Sequence, residues 1–306
     1  MGGWPHGGIP VVDGHVHVNR FDLMAPGPRS VIRQNPTFPL MERFLRDPDA
    51  FLAHMDAEGV WQAWLINYSA QEVMGYGWEV NPWVADYVQA DPERLIAVGG
   101  YDPRLDGDGA AAVDALRELG VSALKIHPVH QHLRPDAHRD GTEAGGRLAA
   151  AYRRAAELRM PVVFHTGTSV FPGADNAFSG VAPIGAVCQD HPGLPVILAH
   201  GGRPDQCDEA LRLVAAHPDA WLDLSSLPPK RVPAWFGDLD RPFPAGAYTP
   251  GDATLADRTL WGSDWPGPKV PGMGANVASF LALGHSRKAQ EKVLHENALG
   301  LLHRIL

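Results

Sequence analysis

Eight short apolar runs recur along the 306-residue chain, and most of them stop at a polar residue. They cover residues 10–18, 61–68, 95–101, 121–127, 161–166, 195–200, 221–225 and 259–264. Most do not alternate strictly between apolar and polar, the pattern of parallel strands buried on both faces. Helical patterns lie between them. Residues 110–119 are Ala-rich and run into Gly120, 147–158 precede Pro161, and 208–216 carry Ala210, Leu211, Leu213 and Val214. Strand and helix alternating in this way predict a closed (β/α)8 TIM barrel, with 1–306 as a single domain. Long connections follow the first strand (19–47) and the fifth (167–180), and loops of that length are commonly lids or binding loops. A Pro- and Gly-rich stretch, 227–251, is a third such candidate, and 286–306 reads as closing helices.

The strand ends carry the chemistry. Asp13-Gly-His15-Val-His17 ends the first run, Lys125-Ile-His127-Pro128 the fourth and Phe164-His165-Thr166 the fifth. Ala199-His200-Gly201-Gly202 ends the sixth and Gly262-Ser263-Asp264-Trp265-Pro266 the eighth. In a parallel barrel these ends share one rim, so side chains far apart in sequence converge there. Residues i and i+2 of a strand point to the same side, so His15 and His17 are placed to hold one cation, with Asp13 on that face behind them. His165 is a further candidate imidazole ligand. His200 reads either as a ligand or as an unligated acid/base, and the second is favoured because three His and one Asp already fill a single metal's shell. Gly201 and Gly202 are expected to let a substrate approach the backbone. Asp264 beside a metal would accept a proton from water, and its alternative is a turn or helix-cap role. Lys125 and His127 are read as pocket residues, with a carboxylated Lys125 bridging two metals as a minority option.

Composition narrows the class. The net charge of −9 disfavours a phosphate-backbone partner. No long basic run suggests a membrane surface, and no apolar stretch approaches the ~18 residues that span a bilayer. Two cysteines, Cys188 and Cys207, are too few for a disulfide framework. With no secretory signal at the start, a cytoplasmic location is expected. There is no phosphate-binding loop, dinucleotide fingerprint or Gly-x-Ser-x-Gly elbow.

With these residues laid out, the chain resembles the amidohydrolase superfamily, and within it the amidohydrolase-related family that includes aminocarboxymuconate-semialdehyde decarboxylase. The likeness runs from the His-x-His strand through 54–60, 124–128, 198–202 and 261–266 to 294–302. It implies a distorted TIM barrel and one divalent metal per chain, usually Zn2+, with Mn2+ also admissible. It also implies that His15, His17, His165 and Asp264 are the ligands and His200 the unligated base. Other branches hold two metals through a carboxylated lysine, for which Lys125 lies near the right strand.

The reaction expected is metal-dependent hydrolysis of an amide, ester, lactone or related bond in a small, acidic or cyclic substrate. Non-oxidative decarboxylation of a small carboxylic acid by the same residues is the alternative, and a non-catalytic metal-binding barrel the third reading. Arg33, Arg203 and Lys269 are candidate contacts for an acidic substrate, and Trp78, Phe171, Trp235 and Trp265 for a ring. A homodimer is the base-rate expectation.

Overall fold

A computed structural model describes residues 4–243, 253–267 and 270–303. Eight parallel strands follow one another around a single sheet in chain order. They are β1 (Val11–Val16), β2 (Val60–Ile66), β3 (Leu95–Gly100), β4 (Ala123–Ile126), β5 (Val162–His165), β6 (Val196–Ala199), β7 (Ala220–Asp223) and β8 (Thr259–Leu260). The last strand is short, yet backbone bonds carry it on to β1. Gly14 N donates to Trp261 O at 2.9 Å, Asp264 N to His15 O at 2.8 Å and His17 N to Trp265 O at 2.8 Å. The sheet is therefore the expected (β/α)8 TIM barrel, and each of the eight apolar runs overlaps one strand, β2 and β7 starting one residue earlier than their runs.

Two apolar clusters show how the strands are used. Val12, Trp64, Ile66, Val98, Ala123, Val163, Ile197, Trp221 and Leu260 pack together with Ala298 and Leu301. Every strand contributes to this cluster, which makes it the barrel interior. The alternate residues, among them Ala63, Leu65, Leu124, Phe164, Leu198 and Leu222, pack outward against the helices. Parity then sends Lys125, His165, Asp223 and Gly262 inward, each two residues beyond an interior residue.

β1 departs from this parity. Val12 lies inside and Val16 outside, and the β1–β2 register shifts both between Val11 and Val12 and between Asp13 and Val16. A strictly alternating strand with Val12 inside would point His15 away from the barrel. The irregularity re-aims it, which is a common use of bulges near active sites.

Helices cover the outside, with capping that explains their bounds. Gly109–Glu118 begins where Asp108 accepts the Ala111 N–H, and Gly120 follows with φ +83°. Glu143–Glu157 begins one turn before the expected 147 because Thr142 caps Gly145 N. Cys207–Ala216 is the third expected helix. The 19–47 connection contains two short helices, Pro26–Ile32 and Phe38–Phe44. Its Phe21, Met24, Ile32 and Met41 pack on Tyr68, Val73, Met74 and Tyr76 in a separate apolar cluster. The 167–180 connection holds only a single turn, Asn176–Phe178. In the third candidate loop, Val232–Phe236 is helical, and residues 244–251 lie outside the described residues. At the far end, the Asn297–His303 helix places Ala298 and Leu301 in the interior. Asn297 Nδ2 donates to Ala256 O and Thr259 O, both at 2.7 Å, fastening that helix to the start of β8. No helix among the described residues is long and apolar enough to cross a membrane.

Candidate metal centre

The C-terminal rim of the barrel gathers six strand ends. His15, His17 and Asp264 offer ligand atoms that all lie within 4.8 Å of one another. His17 Nε2 is 3.1 Å, and His15 Nε2 3.7 Å, from Asp264 Oδ1. Outer partners decide which nitrogens carry hydrogen. His17 donates from Nδ1 to Ile66 O at 3.1 Å, and His15 Nδ1 is 2.6 Å from Asp223 Oδ2. With their Nδ1–H groups committed to acceptors, both imidazoles turn lone pairs towards Asp264. His15 Nε2 is buried and has no hydrogen-bond partner. Two lone pairs and a carboxylate oxygen converging without a donor between them form an arrangement that a cation completes. The donor set therefore fits a divalent metal.

His165 lies outside this trio. It donates from Nε2 to Gly167 O at 3.1 Å, and its Nδ1 is 3.1 Å from His200 Nε2. His200 Nδ1 faces the Ser225 oxygens, Oγ at 2.9 Å and O at 3.1 Å. The His200 ring centroid is 5.0 Å from that of His15, and His200 lines the same cavity as the trio.

Burial sets the charge states. It drives His15, His165 and His200 well below the usual imidazole range, helped by neighbouring cations and imidazoles, so these rings are neutral. Burial also pushes Asp223 up to about 7, against the bonds from Ser225 and the charge of Lys125. Asp264 behaves oppositely. Its burial is outweighed by the close contact with His17 and by the nearby His15 ring and Arg203 guanidinium, which hold it at about 2. Three residues around the centre hold left-handed backbones: His200 (φ 66°), Ser226 (φ 57°) and Asp264 (φ 64°). Such strain in residues without a glycine's freedom clusters at functional sites.

Above the centre is a cavity of about 580 Å3. Lys125, His127 and Arg203 line it. Lys125 is only 1% exposed, its Nζ has no hydrogen-bond partner, and burial lowers it to about 8 against the pull of Asp223 and Asp264. Arg203 bonds Ser226 Oγ at 3.0 Å while its Nε has no partner. His127 stacks between His130 (3.6 Å) and His165 (3.9 Å). Phe21, Met24, Ile32 and Phe171 form apolar walls.

Several expected pocket residues are placed elsewhere. Trp265 does not line the cavity among the described residues. It is buried, with Phe44, Phe51 and His54 around its ring at 5.8, 6.3 and 5.0 Å, while its neighbours Asp264 and Pro266 face the cavity. Alternation along this segment turns Trp265 outward as it turns Asp264 in. Of the other proposed ring contacts, Phe171 lines the cavity, whereas Trp78 and Trp235 pack against the outer core. Arg33 sits in a separate surface depression, and Lys269 lies outside the described residues. The Gly201-Gly202 turn serves the fold. A Cβ on Gly201 would lie 2.5 Å from Phe236 Cζ, and one on Gly202 3.1 Å from Val181 Cγ2, so the protein's own core takes this space.

Asp223 and Ser225 contact His15 and His200 but belong to none of the strand-end motifs. Asp223 ends β7 and Ser225 lies two residues beyond, and the i, i+2 rule applied to His15 and His17 marks them equally well. Gly262 is required beside them. A Cβ there would lie 2.6 Å from His15 Cβ and 2.7 Å from Asp223 Oδ1. Gly262→Ala is expected to cost about 1–3 kcal/mol through overpacking. A urea midpoint equal to that of the wild type would contradict this packing.

The fold is a (β/α)8 barrel with a candidate metal centre at its C-terminal rim. The amidohydrolase family model matches residues 12–304, and the chain belongs to that family. Members of the superfamily typically depend on divalent metals. Solved structures agree in fold. An uncharacterized TIM-barrel protein from Bordetella bronchiseptica aligns over 96% of this chain and 99% of its own, at 22% identity and a TM-score of 0.71. A 5-carboxyvanillate decarboxylase from Novosphingobium aromaticivorans, complexed with manganese and 4-hydroxy-3-methoxy-5-nitrobenzoic acid, aligns over 98% and 97%, at 17% identity and 0.67. A protein assigned as a 2-pyrone-4,6-dicarboxylic acid hydrolase, from Pseudomonas putida, aligns over 97% and 99%, at 19% identity and 0.60.

Proposed function

We propose that this protein is a metal-dependent hydrolase acting on an ester, lactone, amide or related bond of a small acidic substrate. His15, His17 and Asp264 would hold the cation, with His165 as a fourth ligand through Nδ1, its inward lone pair. One Zn2+ per chain suits this mixed nitrogen and oxygen set, and Mn2+ is the alternative. When bound, such a cation polarises a carbonyl and brings the pKa of a water towards ~7.

One observation carries the choice of hydrolysis: the groups around the centre are proton acceptors. Asp264 is ionised and His200 is neutral at physiological pH. His200 keeps its hydrogen on Nδ1, against Ser225, and offers Nε2 to a proton. Activating water requires such an acceptor. Lys125, Arg203 and Lys230 are cations of the cavity lining, and the unpaired Lys125 ammonium is suited to a substrate carboxylate. The apolar walls would bury the rest of the molecule and exclude water.

The same cations favour a second reading, non-oxidative decarboxylation, because Lys125 would then hold the carboxylate of a small acid. That reaction needs a proton delivered to carbon, and this reading assigns the delivery to Lys125, whose buried ammonium lines the site.

Labelled water separates the two. The metal-loaded protein would be offered small lactones and esters bearing a carboxylate, and aromatic carboxylic acids. Hydrolysis places one 18O from H2 18O in the product. Release of CO2, with solvent hydrogen on carbon and no 18O, would replace this reading with the decarboxylase one.

A further inference from the structure

One carboxylate reaches two imidazoles of the centre. Asp223 Oδ2 lies 2.6 Å from His15 Nδ1 and 2.8 Å from Ser225 Oγ, and Asp223 Oδ1 accepts the Ser225 backbone N–H at 2.8 Å. In its carboxylate form Asp223 only accepts, so His15 then donates from Nδ1 and Ser225 donates from its hydroxyl. That hydroxyl has a single hydrogen. With it directed at Asp223, Ser225 Oγ acts as an acceptor towards His200 Nδ1, 2.9 Å away. The Ser225 carbonyl, 3.1 Å from the same nitrogen, accepts as well. Each ring then carries hydrogen on Nδ1 and a lone pair on Nε2. For His15 the lone pair faces Asp264, and for His200 it faces His165.

We propose that Asp223 is a positioning residue that sets the tautomers of both His15 and His200, acting on His200 through the Ser225 hydroxyl. This rests on the reading of His15 as a cation ligand. Asp223 does not line the cavity and is not part of the ligand trio. It acts from behind. An acceptor behind a ligating imidazole fixes its orientation and raises its basicity towards the metal, and losing one commonly costs ~10–100-fold in metal affinity. A single carboxylate thus tunes the cation site and the proton acceptor together.

The barrel geometry makes this assignment specific. Asp223 ends β7 and Ser225 follows two residues later, each in contact with a histidine of the rim, and the missing side chain of Gly262 leaves the space in which Asp223 meets His15. Asparagine at position 223 keeps the shape. It removes the charge and introduces an amide N–H2 that can face His15, which then needs its lone pair on Nδ1.

The test uses Mn2+ alone as probe. The full chain is stripped of metal and titrated with Mn2+, followed by electron paramagnetic resonance. Histidine tautomers in the metal-free protein are read from two-bond 1H–15N correlations. Asp223→Asn is expected to bind Mn2+ about 10–100-fold more weakly and to show changed tautomer signals for both His15 and His200. Ser225→Ala is expected to keep the wild-type Mn2+ affinity and the His15 signals, with the His200 signals shifted. Wild-type affinity in a folded Asp223→Asn protein would overturn the proposal. So would hydrogen on His15 Nε2 in the metal-free wild type, a measurement that stands even if the variant does not fold. A wild type that binds no Mn2+ would instead count against the cation site itself, and the tautomer spectra would still decide the role of Asp223.

Discussion

Asp264→Asn is expected to abolish turnover while leaving the protein folded. Asp264 has φ 64°, where Asn and Asp are the side chains best tolerated after glycine, so the substitution inherits the backbone. The Asp264 N–H would still donate to His15 O, the bond that helps close the barrel. What changes is charge. Asp264 is held at about 2, its burial overcome by the close contact with His17 and by the nearby His15 ring and Arg203 guanidinium. The amide brings no negative charge to the trio and accepts no proton. Removing a general base alone costs about 10²–10⁴-fold in rate, and a ligand is lost with it. The readouts are metal per chain by elemental analysis, the thermal midpoint, and turnover of whichever substrate the labelled-water assay identifies. An Asp264→Asn protein with wild-type activity would remove Asp264 from the mechanism. Asp264→Ala is the poorer test, because it adds the cost of a left-handed alanine to the loss of charge.

His200→Asn should behave differently. His200 also has a left-handed backbone (φ 66°), and Asn suits it for the same reason. The variant is expected to retain its metal, because the trio keeps all its ligand atoms, and to lose about 10²–10⁴-fold in kcat as the proton acceptor disappears. Loss of metal in this variant would make His200 a ligand. That outcome is informative because His200 Nε2 and His165 Nδ1 lie 3.1 Å apart with both outer nitrogens bonded to acceptors. A cation held between these two nitrogens would make His200 a ligand. The pair of variants therefore distinguishes a base beside the centre from a further ligand to it.

The fold was legible because barrels are built by repetition. Each buried strand must be apolar on both faces, and each must be followed by a helix on the same side, so the eight runs could be counted from residue types alone. Helix ends were legible where a local signal sets them, as at Gly120. The extra turn before residue 147 escaped because the signal there is the Thr142 cap rather than the apolar pattern. Within the rim, His15, His17 and His200 stood out as a rare residue type at strand ends, and Asp264 by the Gly-Ser-Asp-Trp-Pro segment around it. Asp223 and Ser225 sit in no such segment, although their spacing follows the same rule as His15 and His17. Trp265 drew notice for the opposite reason. A large aromatic beside a candidate ligand reads as a pocket wall, but adjacent residues leave the backbone on opposite sides, and this one packs on Phe44, Phe51 and His54.

By itself, the sequence determined the barrel, its family and the strand ends that would carry the chemistry, because these depend on periodicity and residue type along a single segment. Only the tertiary structure decided how those ends meet. The irregular register in β1 turns His15 inward against simple alternation. Backbone carbonyls of Ile66, Gly167 and Ser225 take one nitrogen each from His17, His165 and His200, leaving the other for the site. Asp223, 208 residues from His15 in sequence, lies 2.6 Å from it in space. Register, tautomer and partner are properties of contacts between strands, and no single strand carries them in its own residues.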